Sequence, residues 1–146
     1  MGKRLIDQVA VVTGGSRGIG LAISRALARE RARVVIAALN EARGQAAARD
    51  IQEAGGRAEF IQTDVTERDQ VKRLVALTLE RHGDINVLVN NAGVSGRDAF
   101  WEETEELWDR MDRVNVMGTV LPLSASYGIW RTAGEAPSST SRRRRG

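Results

Sequence analysis

The residues of this chain best placed to do chemistry form a glycine-rich run, Thr13-Gly14-Gly15-Ser16-Arg17-Gly18-Ile19-Gly20. Backbone N–H groups in such a turn can approach a diphosphate closely, because glycine carries no Cβ to stand in the way. A helix opening at the end of the turn adds the positive end of its dipole. Further along stand Asp64-Val65, Asn90-Asn91-Ala92-Gly93 and Asn115, a polar set without any nucleophile–histidine pair. His82 is the only histidine and there is no cysteine, so a histidine cluster for a transition metal, a thiolate metal site and a disulfide framework are all excluded.

These residues need elements to hold them. Val9 to Thr13 is a short apolar run that reads as a buried parallel strand. From Gly18 the spacing changes to that of a helix reaching about Arg31, with Ile19, Ala22, Ile23, Ala26 and Leu27 on one face. Val34 to Ala37 reads as a second strand, and Glu41 to Ala54 as a second helix stopped by Gly55-Gly56. Ala58 to Thr63 reads as a third strand. Thr66 and Asp69 resemble a capping box that opens a helix ending near His82, where Gly83 follows. Asn86 to Val89 is a fourth strand, and Thr104 to about Thr119 has helical periodicity. Strands alternating with helices predict right-handed crossovers and a doubly wound, Rossmann-like parallel sheet of about four strands, in the α/β class.

After about Leu123 the periodicity ends. Residues 1–123 therefore read as one domain and residues 124–146 as a disordered basic tail. Arg142 to Arg145 lie in that tail; without those four arginines the net charge of +3 becomes −1. The body thus shows no basic face of the kind nucleic-acid binding needs. No stretch approaches the roughly 20 apolar residues that cross a bilayer, and no signal peptide is visible, which points to a cytoplasmic protein without membrane partners.

The string T-G-x-x-x-G-x-G after the first strand, Asp64-Val65 after the third, Asn-Asn-Ala-Gly after the fourth and Asn115 on the following helix occur in order. Together they resemble the short-chain dehydrogenase/reductase family over roughly residues 5 to 120. The resemblance implies an NAD(P)-dependent oxidoreductase that passes a hydride between an alcohol or ketone and a nicotinamide. It implies that Thr13, Gly14, Ser16, Arg17, Gly18, Ile19 and Gly20 hold the cofactor's diphosphate end. Asp64 and Val65 would lie near the adenine, with Asn91, Ala92 and Gly93 completing the cofactor set. No metal is implied. Each residue also has a plainer reading: Asp64 suits a turn before the third helix, the asparagines are turn formers, and Trp101 and Trp108 suit packing. His82 suits a helix C-terminus.

An acid just past the second strand would bind the ribose 2′-hydroxyl, but Ala37-Ala38-Leu39-Asn40 has none. Arg17 could pair with a 2′-phosphate, so NADP is preferred; NAD stays the alternative because the residues around Ala38 resemble those of NAD-type relatives. Of the family's catalytic asparagine, serine, tyrosine and lysine, only the asparagine is assigned, at Asn115. The serine would fall near Arg143 and the tyrosine and lysine beyond Gly146. Tyr127, with Arg131 four residues on, is read as a decoy. Full-length relatives are usually homo-oligomers, and loss of later strands would leave Asn86 to Asn90 as an apolar, aggregation-prone edge. Read from the third base with synonymous codons chosen freely, residues from Ala125 can spell V-L-R-H-M-E-D-R-G-R-S and then A-I-V-N-I-S-S-x-A-G. That second string resembles the family's serine segment, so a frameshift near residue 122 is expected and the chain is read as a non-catalytic fragment. Codons that cannot spell the string would remove that expectation.

Overall fold

The structure is a computed structural model and describes residues 4–96 and 102–134. Four strands, β1 (Val9–Thr13), β2 (Arg33–Ala38), β3 (Arg57–Gln62) and β4 (Val87–Val89), form one parallel sheet in the order β3-β2-β1-β4. Helices α1 (Gly18–Arg29), α2 (Glu41–Glu53) and α3 (Arg68–His82) make the crossovers. The expected Rossmann-like α/β architecture is therefore present. Because β2 and β3 step one way from β1 while β4 lies on its other side, the winding reverses between β1 and β4, where crevices in such sheets open.

Both faces of the sheet are covered, which is why its strands are apolar without alternation. Ala10, Val12, Val34 and Ile36 pack on Ala28, Ala47, Ala48 and Ile51 of α1 and α2. Val9, Val11, Val35 and Ala37 pack on the other side with Ile61, Leu74, Val75 and Ile85.

Several helix details differ from expectation. On α1 the buried residues are Gly20, Ser24 and Ala28, whereas Ala22 and Ala26 are exposed and Ile19 is 75% exposed. Small residues win the inner face because the helix lies close over the strands. Thr66 does not cap α3; its hydroxyl donates to Asp64 Oδ1 at 2.7 Å, and the helix begins after Glu67 without a side-chain cap. The helix expected to end near Thr119 runs on. It comprises α4 (Glu105–Met111), a π-helical turn (Asp112–Met117) and α5 (Gly118–Gly134). The loss of order placed near Leu123 is thus corrected: Ala125, Ile129 and Trp130 pack on the β1–α3 core, Ser126 is buried, and Trp130 Nε1 donates to Ile85 O at 2.7 Å. Residues 138–146 and Trp101 lie outside the described residues.

Helix ends follow left-handed closures. After α2, Gly55 (φ 85°) and Gly56 donate to Gln52 O and Ile51 O at 2.9 Å each, a Schellman motif. After α1 the same motif is built by Arg31 (φ 71°) and Ala32, which donate to Ala28 O at 3.0 Å and Leu27 O at 3.1 Å. Gly83 (φ 82°) closes α3, and His82 beside it meets Glu59 Oε1 at 2.7 Å.

Candidate dinucleotide cleft

At the C-terminal ends of β1 and β2 the chain opens a cleft of about 1090 Å³. Its floor is the glycine turn. Gly14 takes a positive φ of 64° and donates its N–H to Ala37 O at 2.7 Å, which fixes the turn to β2. A Cβ at Gly20 would run into Gly14 O and Asn91 Nδ2, so that position cannot carry a side chain without moving the turn. The first turn of α1 has no acidic residue, and its N-cap, Arg17, makes no side-chain cap. The orphan N–H groups at this helix start are thus left for an anion, unlike those of α2, where Asn40 Oδ1 accepts from Arg43 N at 2.9 Å.

Of the residues expected to contact the cofactor, Gly14, Arg17, Gly18, Ile19, Gly20, Asp64, Val65, Asn91, Ala92 and Gly93 all line the cleft. Thr13 and Ser16 do not. Thr13 is wholly buried, and its hydroxyl accepts from Asn91 N at 3.0 Å and Ala92 N at 3.1 Å while donating to Val89 O at 3.3 Å. Asn91 returns the tie, with Nδ2 donating to Thr13 O and Gly14 O at 3.2 Å each. These two side chains hold the ends of β1 and β4 together beneath the cleft. Ser16 is buried in the turn.

Asp64 also follows its plainer reading in part. Its Oδ1 accepts from Thr66 N at 2.9 Å, an Asx-type turn that shapes the cleft's far wall. Asn115 sits on the π-helical turn and clasps the segment after β4: Oδ1 accepts from Val94 N and Nδ2 donates to Val94 O, both at 2.9 Å. A π-turn widens the helix and re-aims the side chains on it, a feature common at functional sites. Asn115 itself does not line the cleft.

The sequence reading missed Arg43, Arg110 and Arg113, which line the same cleft. Arg43 stands at the third position of α2, within the reach of a motif search extended one turn past Asn40. Arg113 meets Glu67 Oε1 at 3.9 Å across the cleft's edge. Glu106 lies on the same wall, and its carboxyl is held below the ordinary glutamate value by its own backbone N–H and by the Thr104 hydroxyl. Tyr127 is 61% exposed on α5 and takes no part in the cleft. No cluster of metal ligands occurs among the described residues, and no described helix is long and apolar enough to cross a membrane.

The model of the short chain dehydrogenase family matches residues 8–134, past the point where the sequence pattern fades. An uncharacterized oxidoreductase of Methylorubrum extorquens is 43% identical over 125 residues, 85% of this chain and 50% of that protein. A 2,5-dichloro-2,5-cyclohexadiene-1,4-diol dehydrogenase of Sphingobium indicum is 34% identical over 154 aligned positions, covering 93% of this chain and 62% of that one. Among solved structures, a metagenomic short-chain oxidoreductase in complex with NADP superposes with a TM-score of 0.82 at 39% identity, over 89% of this chain and 59% of its own. The chain spans about half the length of the curated relatives it matches. From the glycine turn, the clasped asparagines and these matches together, the chain belongs to the short-chain dehydrogenase family.

Proposed function

We propose that this chain binds a nicotinamide dinucleotide in the cleft above β1 and β2 as part of an oxidoreductase acting on an alcohol or ketone. The uncapped start of α1, facing a turn in which Gly20 leaves no room for a Cβ, carries this reading. The bound dinucleotide would supply the hydride. The chain's own groups would bind and orient it. Amides of the first turn of α1 take the diphosphate, Asp64 and Val65 border the adenine end, and Ala92 and Gly93 border the path toward the nicotinamide end. Asn115 acts on the segment after β4 by fixing Val94, and so sets the shape of that path.

NADP is preferred over NAD. No carboxylate stands at residues 37–40, where β2 ends, so nothing at that position repels a 2′-phosphate, and the cleft lining there includes Arg17 and Arg43 instead. The solved NADP complex of a relative supports the same choice. Arg17 is exposed and extended, so Arg17→Glu should leave the fold intact. Isothermal titration should show NADPH binding at least roughly tenfold weaker in that variant, with a smaller loss for NADH. Equal losses for the two cofactors would remove the NADP preference, and no loss for either would remove Arg17 from the binding set.

A second reading is binding without turnover by this chain alone. The only tyrosine, Tyr127, lies exposed on α5 outside the cleft, and no tyrosine–lysine pair reaches the cleft among the described residues. Thermal stabilisation by NADPH with no absorbance change at 340 nm on adding ketones favours this reading; steady NADPH oxidation overturns it.

A further inference from the structure

At the opposite end of the sheet from the glycine turn, the C-terminal ends of α1 and α2 enclose a second cleft of about 600 Å³. We propose that this cleft binds a small phosphate monoester, gripped by Arg29 and Arg31. Its floor is apolar, made of Ala28, Ala32 and Ile51, and its rim carries four guanidinium groups against two carboxylates. Arg25 is already taken by Asp50 at 3.5 Å, and Arg57 by Asp7 at 3.1 Å. Arg29 and Arg31 are exposed and have no ion pair among the described residues.

The backbone supplies the second reason. Two Schellman closures line this cleft, one after each helix. The closure of α2 uses Gly55 at its left-handed position, and α3 also ends on a left-handed glycine. The closure of α1 uses Arg31 at φ 71°, where an L side chain is sterically disfavoured and glycine would fit freely. Complementing the helix dipole does not require this, because Arg29 already lies in the last turn of α1. A strained residue kept in place holds a guanidinium on the cleft rim, and strain of this kind collects at ligand sites. Two guanidiniums suit a phosphate, their charge here outweighing the negative carbonyl ends of α1 and α2 and the Glu53 carboxylate on the rim, and the apolar floor suits the body of its ester.

The proposal is independent of the dinucleotide cleft and is tested on the full chain by amide NMR. Inorganic phosphate and phenyl phosphate are titrated at ionic strength matched with sodium chloride. Saturable shifts are expected at the amides of Gly55, Gly56 and Ala32, with phenyl phosphate the tighter of the two. Arg31→Gly relieves the backbone strain, so its melting temperature should not fall, yet both ligands should bind about tenfold more weakly. Arg29→Gln provides a second variant with the same expectation. Shifts confined to residues 14–20, equal shifts with sodium chloride alone, or an unchanged affinity in Arg31→Gly would each overturn the proposal.

Discussion

Thr13 has no solvent exposure, and its hydroxyl is shared among the N–H groups of Asn91 and Ala92 and the carbonyl of Val89. Valine has nearly the same shape but cannot accept a hydrogen bond. Thr13→Val should therefore strand two N–H donors at the base of the cleft and cost about 1–3 kcal/mol. Urea unfolding should show a lower midpoint with an unchanged slope; a midpoint equal to the parent's would mean that water replaces the hydroxyl at no cost. This residue also shows how far a motif can be read. Position and order of Thr13, Asn91 and Asn115 were legible, because the spacing of the motif residues survives in the sequence. Which groups face a ligand and which brace the scaffold was not, since that depends on side-chain direction. Thr13 and Ser16 turned inward, and Asn115 spends both ends of its amide on Val94.

Among the elements, strands were read closely because buried parallel strands are short, apolar and bounded by glycine and polar turns. Helix faces were harder. Alanine scores as apolar on either side of a helix, so Ala22 and Ala26 drew the inner face of α1 away from Gly20 and Ser24. The stretch Ser124-Ala125-Ser126-Tyr127-Gly128 is poor in strong helix formers, yet packing of Ala125, Ile129 and Trp130 on the core keeps it helical. The segment before β1 is held electrostatically. Arg57, from the start of β3, and then Arg33, from β2, hydrogen-bond Asp7 and lower its pKa from the ordinary 3.8. A carboxyl whose folded value is depressed stabilises the fold above its unfolded value and loses that effect as the pH falls through the folded one. The stability difference between the parent and Asp7→Asn should thus be small at neutral pH, shrink on acidification below about pH 4 and shrink with added salt. A difference constant from pH 7 to pH 3 would show that the ion pairs contribute nothing.

Across the whole molecule, one sheet separates two apolar layers, and the two clefts lie at its opposite ends. The cleft above the glycine turn stands at the switch point given by the strand order β3-β2-β1-β4. The apolar edge expected at the fourth strand is short, three residues, and half-buried, with α5 anchored nearby through Trp130 and Ile85. The second cleft was not legible in advance, because nothing in local sequence marks Arg31 as left-handed; the handedness arises only where α1 must turn back into β2.

All five residues of β1 are buried, and the strand is hydrogen-bonded on both sides, to β2 and to β4. Its amides can reach deuterium oxide only if a neighbouring strand detaches first. Exchange measured by mass spectrometry should therefore be slowest in residues 9–13 and faster in 87–89, whose outer side has no strand partner among the described residues. The reverse order would mean that the sheet opens from its centre rather than fraying from its margins.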